Sequence, residues 1–107
     1  MSRPFSYRHI SRTPAISTFK PIGIPITELD EITLTLDEFE ALRLADHERL
    51  YHEEAANRMN VSRTTFGRIL DAARHKLSGA LVLGRALRIE GGPVHLSRAG
   101  CCRRRRS

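Results

Sequence analysis

Ser62, Arg63, Thr64, Thr65, Gly67 and Arg68 fall within seven consecutive positions, in a stretch whose apolar residues Phe66, Ile69, Leu70 and Ala73 recur at helical spacing. Hydroxyls, guanidiniums and a missing side chain on the outer face of one helix do binding chemistry. They donate hydrogen bonds to phosphate oxygens and to base edges in a groove of duplex DNA. Arg63 and Arg68 each suit either a bidentate contact to guanine or a phosphate clamp, and the sequence leaves both roles open. Thr64 can reach a base edge or a thymine methyl, and Thr65, at the margin, a phosphate. Gly67 costs up to about 1 kcal/mol inside a helix, so it allows close approach either to DNA or to a neighbouring element.

Other reactive residues have the wrong spacing. His47 and His52, with Glu48 between them, are five apart, which turns them about 140° from each other on a helix, whereas zinc ligation needs four. Cys101 and Cys102 are adjacent, and with His95 they fall short of the four well-spaced ligands of a closed zinc site. The arginines beside the cysteines favour thiolates and hence reactivity; the simpler reading is a tail with incidental cysteines. No Gly-rich phosphate loop, nucleophile elbow or carboxylate pair stands out. The expectation is a protein that is not an enzyme and that carries no cofactor and no metal.

The 107 residues hold one domain, and the lack of Trp points to a core of Leu, Ile, Ala and Val from helices. The net charge of +6 is unevenly distributed. Residues 1–12 carry three arginines and no acid, residues 13–61 four basic and ten acidic side chains, and residues 62–107 eleven basic and two acidic ones. The sign therefore reverses at Ser62, which suits a polyanion on one face. Arg103–Arg106 and the N-terminal Arg3, Arg8 and Arg12 would add salt-dependent phosphate contacts. No apolar stretch has the length of a membrane span or the form of a signal peptide. Unpaired cysteines fit a reducing interior, so the expected location is cytoplasmic and nucleoid-associated.

Prolines at 14, 21 and 25 forbid a continuous helix in the first 26 residues, which read as an extended arm with a short strand near Ile16–Phe19. Thr27 is positioned to cap a brief helical turn through Glu28–Ile32. Thr35 followed by Glu38 forms a capping box for a first helix that buries Leu36, Phe39, Leu42 and Ala45 and ends near Asp46–Arg49. A second, short helix covers about His52–Met59. Ser62 caps a third that begins at Arg63, carries Phe66, Ile69, Leu70, Ala73, Leu77 and Leu81 on its apolar face, and stops at Gly84. Leu87 and Ile89 alternate with charged residues as in a short strand, and residues 93–107 read as a disordered basic tail.

The second and third helices meet the steric demands of a helix-turn-helix running from about His52 to Asp71. Ala55 and Ala56 lie where the helices cross, Met59, Val61, Phe66 and Ile69 where apolar contacts fix the angle, and Asn60 where the turn needs a left-handed backbone. In this motif the start of the second helix enters the major groove.

The segments Phe19-Lys-Pro-Ile-Gly-Ile-Pro25, Leu34–Asp46, Glu53–Ala56, Val61–Leu70 and Ala86–Gly92 resemble uncharacterised protein family 0251, also called domain of unknown function 134. The resemblance covers about Phe19 to Gly92. It implies a small prokaryotic DNA-binding protein whose helix-turn-helix is similar to region four of sigma factors, with Ser62, Arg63, Thr64, Thr65, Gly67 and Arg68 at the DNA. Tyr51-His52 departs from the family's Ser-Gln and removes the expected cap of the second helix. Asn60 replaces a glycine.

The expected architecture is mainly α: an arm (1–26), a winged-helix-like or sigma region four-like helix-turn-helix domain (27–92) and a tail (93–107). The expected partner is double-stranded DNA, bound sequence-specifically by a transcription regulator. The alternative is a module that docks on transcription machinery such as RNA polymerase through its acidic first helix. A homodimer would use the arm or the Leu77–Ile89 region.

Overall fold

The computed structural model describes residues 8–11, 13–92 and 94–96, the last three by their backbone. Expectations resting on Arg3, Arg12, Arg98, Cys101, Cys102 and Arg103–Arg106, and on the side chain of His95, lie outside the described residues. Within them the chain is mainly helical with small sheets. In order it forms β1 (Arg8–Ile10), β2 (Thr18–Phe19), β3 (Glu31–Leu34), α1 (Leu36–Leu42) continued by a π-helical turn (Arg43–His47), α2 (His52–Met59), α3 (Arg63–Leu83), β4 (Ala86–Ile89) and β5 (Val94–Leu96).

Local chemistry accounts for the helix limits. The Thr35 N–H donates to Glu38 Oε1 at 2.9 Å, closing the capping box of α1. The π turn ends where the Glu48 N–H reaches the Arg43 carbonyl at 2.7 Å, and Arg49, at φ 65°, reverses the chain. No side chain caps α2 at Tyr51, in line with the missing serine there. Asn60 (φ 59°, ψ 44°) takes the left-handed turn after α2. Ser62 Oγ accepts the Thr65 N–H at 3.0 Å to start α3, and Gly84 (φ 67°) ends it.

Two apolar clusters hold the elements together. Ala41, Leu44, Ala55, Ala56, Met59, Phe66, Ile69 and Leu70 unite α1, the π turn, α2 and the first half of α3. Leu34, Ala73, Ala80, Leu87 and Ile89 bind the later part of α3 to the sheet β2-β4-β3. In that sheet β3 and β4 run parallel, from Glu31 opposite Ala86 to Leu34 opposite Ile89, while β2 pairs antiparallel with β4.

Several expectations need correction. The helical turn through Glu28–Ile32 is a 3-10 turn at Ile26–Glu28 followed by β3; Thr27 lies inside the turn and Pro25 precedes it. Pairing with β4, distant in sequence, outweighs the local capping signal. Residues 1–26 are not simply an arm: Ile10 is buried, and β1 and β2 each join a sheet. The tail does not begin at Pro93, because Val94–Leu96 pairs in parallel with β1. On α1, Leu36, Phe39, Leu42 and Ala45 are only half-buried, whereas Asp37, Glu38 and Glu40 are buried. Leu81 is 77% exposed, because α3 runs past the end of the core.

Candidate functional site

The crossing of α2 and α3 rests on small and apolar side chains. Ala55, Ala56, Met59 and Phe66 are almost fully buried between the two helices and α1, and Ile69 and Leu70 complete the contact. Val61, in the turn, packs against the same cluster. The His52 ring meets Phe66 edge-on with centroids 5.4 Å apart, which ties the uncapped start of α2 to α3. With its inner face fixed in this way, α3 must turn Arg63, Thr64 and Arg68 outward, and all three are exposed.

The six residues singled out from the sequence sort into two kinds. Ser62 and Thr65 hold the helix start: Ser62 Oγ donates to Thr65 Oγ1 at 3.0 Å and accepts the Thr65 N–H. Arg63, Thr64, Gly67 and Arg68 form an open surface over the first two turns. A Cβ built at Gly67 meets nothing within 4 Å, so the glycine does not serve packing within the described residues. The structure also brings residues beside the six, of which the motif did not single out Leu50, Tyr51 and Asn57. Leu50, Tyr51, His52, Asn57 and Val61 share with Ser62 and Arg63 a cleft of about 890 Å³ between the starts of α2 and α3. Tyr51 is 88% exposed at its edge. The uncapped Tyr51-His52 pair was the sequence signal for that place.

Most described cations are paired, Lys20, Arg49, Arg85 and the two arginines of this surface excepted. Arg43 binds Glu40 at 2.9 Å and Glu48 at 3.1 Å, Arg74 binds Asp46 at 2.7 Å, Lys76 binds Glu38 at 2.8 Å and Arg88 binds Glu31 at 2.9 Å. Hydrogen bonds from Arg74 and Arg88 hold the carboxyls of Asp46 and Glu31 below the usual carboxylate range. Arg63 and Arg68 make no ion pair among the described residues. The acids of α1 are engaged in turn. Glu40 accepts from the Ser11 N–H and hydroxyl as well as from Arg43, Glu38 from Thr35 and Lys76, and Asp37 from Thr35, with Arg8 nearby. Asp46 and Glu48, at the end of this helical stretch, are by contrast exposed.

Among the described residues no three His, Cys, Asp or Glu side chains are grouped to hold a metal ion, and no helix is long and apolar enough to cross a membrane.

The family model described as "Protein of unknown function DUF134" matches residues 1–97. A UPF0251 protein of Prosthecochloris aestuarii is 48% identical over 106 residues, covering 92% of this chain and 68% of its own. One from Dehalococcoides mccartyi strain 195 is 49% identical over 104 residues, covering 97% and 89%. One from Caldanaerobacter subterraneus is 50% identical over 92 residues, covering 86% and 78%. No solved structure matches the chain. By the extent of these matches, the chain belongs to the DUF134, or UPF0251, family.

Proposed function

We propose that α2, its turn and α3 are a helix-turn-helix that reads double-stranded DNA, and that the protein is a transcription regulator rather than an enzyme. The observation that carries this reading is the unpaired state of Arg63 and Arg68 on the open face of α3, in a molecule that pairs most of its other described cations. Two free guanidiniums, a threonine and a glycine over two turns suit entry into a major groove about 12 Å wide. The left-handed Asn60 and the buried Ala55 and Ala56 support the helix-turn-helix reading. The first helical turn also offers its backbone amides to a phosphate, next to Arg63. The relation to sigma factor region four is part of the same reading.

In the groove, Arg63 and Arg68 supply guanine contacts or phosphate clamps, Thr64 reaches a base edge, and Gly67 admits the DNA backbone. Ser62 and Thr65 keep the first turn rigid. Fluorescence anisotropy with duplex DNA over a salt series tests the proposal. Binding should weaken steeply with salt, and Arg63→Ala and Arg68→Ala should each lower the affinity. Undetectable binding at low salt, or an affinity and salt slope untouched by both substitutions, overturns it.

A further inference from the structure

Apart from DNA reading, we infer that the paired strands β1 and β5 form a two-histidine seat for a zinc ion, which Cys101 and Cys102 complete as thiolates. β1 and β5 run parallel, with Arg8 opposite Val94, His9 opposite His95 and Ile10 opposite Leu96. Each strand carries its histidine at the centre, and the register sets the two side by side. Neighbouring strands are about 4.8 Å apart, and zinc binds imidazole nitrogens at about 2.0–2.1 Å. Two imidazoles at such positions can span one ion without a change of backbone.

Alternation decides which face of the ladder carries the pair. Ile10 is buried, and Arg8 Nε lies 3.8 Å from Asp37 Oδ2 on α1. Both contacts belong to the face that packs on the helices. Side chains alternate along a strand, so His9, half-buried, falls on the opposite face, and the register gives His95 that same face. The apolar Val94 and Leu96 share the inner face with Arg8 and Ile10. The carboxylates near β1, Asp37 and Glu40, lie on the inner side and are engaged by Thr35, Arg8, Ser11 and Arg43. The outer face therefore needs other ligands to close a metal site.

The sequence holds them close by. Five residues separate His95 from Cys101, with Gly100 directly before the thiols. A chain of that length reaches at most about 20 Å when extended, ample for a return to the ladder. Two thiolates and two neutral imidazoles around Zn²⁺ leave the site without net charge, each thiol giving its proton to solvent as it binds. Arg98 and Arg103–Arg106 therefore do not oppose the ion, and they favour the thiolate form. Neither the histidines nor the cysteines alone reach the four ligands of a closed zinc site; together they do. An ion so held fastens the end of the chain to β1, which packs on α1 and α2.

The test titrates the full, reduced chain with Co²⁺, a coloured probe for zinc, without DNA, so its outcome is independent of the DNA-reading proposal. One equivalent should bind, with the intense d–d absorption of a tetrahedral site and a thiolate-to-cobalt charge-transfer band, and zinc should displace it. His9→Ala should weaken cobalt binding by roughly tenfold or more. Cys101→Ser with Cys102→Ser should remove the charge-transfer band, and His47→Ala, outside the two strands, should change nothing. If far-UV circular dichroism shows that His9→Ala disturbs folding, His9→Gln reads the same ligand. A chain that takes up no cobalt overturns the proposal. So does binding that survives loss of His9, which gives the ion to the tail alone, and so does binding without the charge-transfer band, which leaves the thiols out.

Discussion

The region around α1 and the opening turns of α3 treat charge in opposite ways. Around α1 the carboxylates are buried and answered: Glu40 takes hydrogen bonds from Ser11 and Arg43, and Glu38 from Thr35 and Lys76. On α3, Arg63 and Arg68 stand in solvent with no ion pair among the described residues. The first arrangement fastens the N-terminal segment to the helices; the second leaves charge available to an outside anion. A positive total of +6 therefore says less than the distribution of its unpaired part. Stability should be most sensitive to the first region, and binding to the second.

The largest effect that separates them is expected at Glu40. Glu40→Ala leaves Arg43 with Glu48 and the Ser11 hydroxyl as its remaining partners, and loss of the charge-assisted hydrogen bonds to Glu40 should cost about 1.5–3 kcal/mol. Thermal or urea unfolding should report that loss, while the DNA affinity of the folded fraction stays unchanged. The reverse pattern is expected at Arg63→Ala and Arg68→Ala: about 1–3 kcal/mol of binding each, read by anisotropy, against a stability change within about 0.5 kcal/mol. A residue that moved both quantities equally would break the comparison.

Smaller effects sharpen it. Ser62→Ala removes the cap of α3 and should lower stability by about 1 kcal/mol. Asn60→Ala puts an ordinary residue in a left-handed backbone and should cost a similar 1–2 kcal/mol, whereas Asn60→Gly should be tolerated. Both variants should weaken DNA binding only as far as they loosen the start of α3.

The smallest effect concerns acid. Asp46 has its carboxyl lowered by Arg74, so its contribution is present above the ordinary carboxylate value and is lost as the pH falls through the lower folded one. The pair is largely exposed, with side-chain exposures of 51 and 43%, and screening keeps it weak. Asp46→Asn should remove a shallow part of the stability loss below about pH 4, visible in unfolding midpoints compared at pH 3 and 6.

The helices were legible because their limits have local causes. Ser62, Asn60 and Gly84 stop or start helices by chemistry within four residues, and the structure places α2 and α3 at His52–Met59 and Arg63–Leu83. β3 was not legible, since Glu31–Leu34 becomes a strand through a partner that begins at Ala86. The burial of Glu40 was hidden for the same reason: Ser11, which covers it, is 29 positions away. Periodicity identified Leu81 as apolar but carries no information on where the core stops. At the candidate site, spacing located the outward face of α3, and only coordinates separated the capping roles of Ser62 and Thr65 from the open positions beside them.

The parallel pairing of β3 with β4 has a consequence in time. All three helices lie between these neighbouring strands, so the pairing of Leu34 with Ile89 closes a long loop, at an entropic cost that helices formed within it reduce. Helical turns form within about a microsecond, whereas contacts so far apart in sequence wait on loop closure. The expected order is therefore α2 and α3 first, with the sheet as a clasp that closes late, which φ-values low in β3 and β4 and high in α2 and α3 would check. During synthesis the clasp is also late, because β4 leaves the ribosome only after α3 is complete.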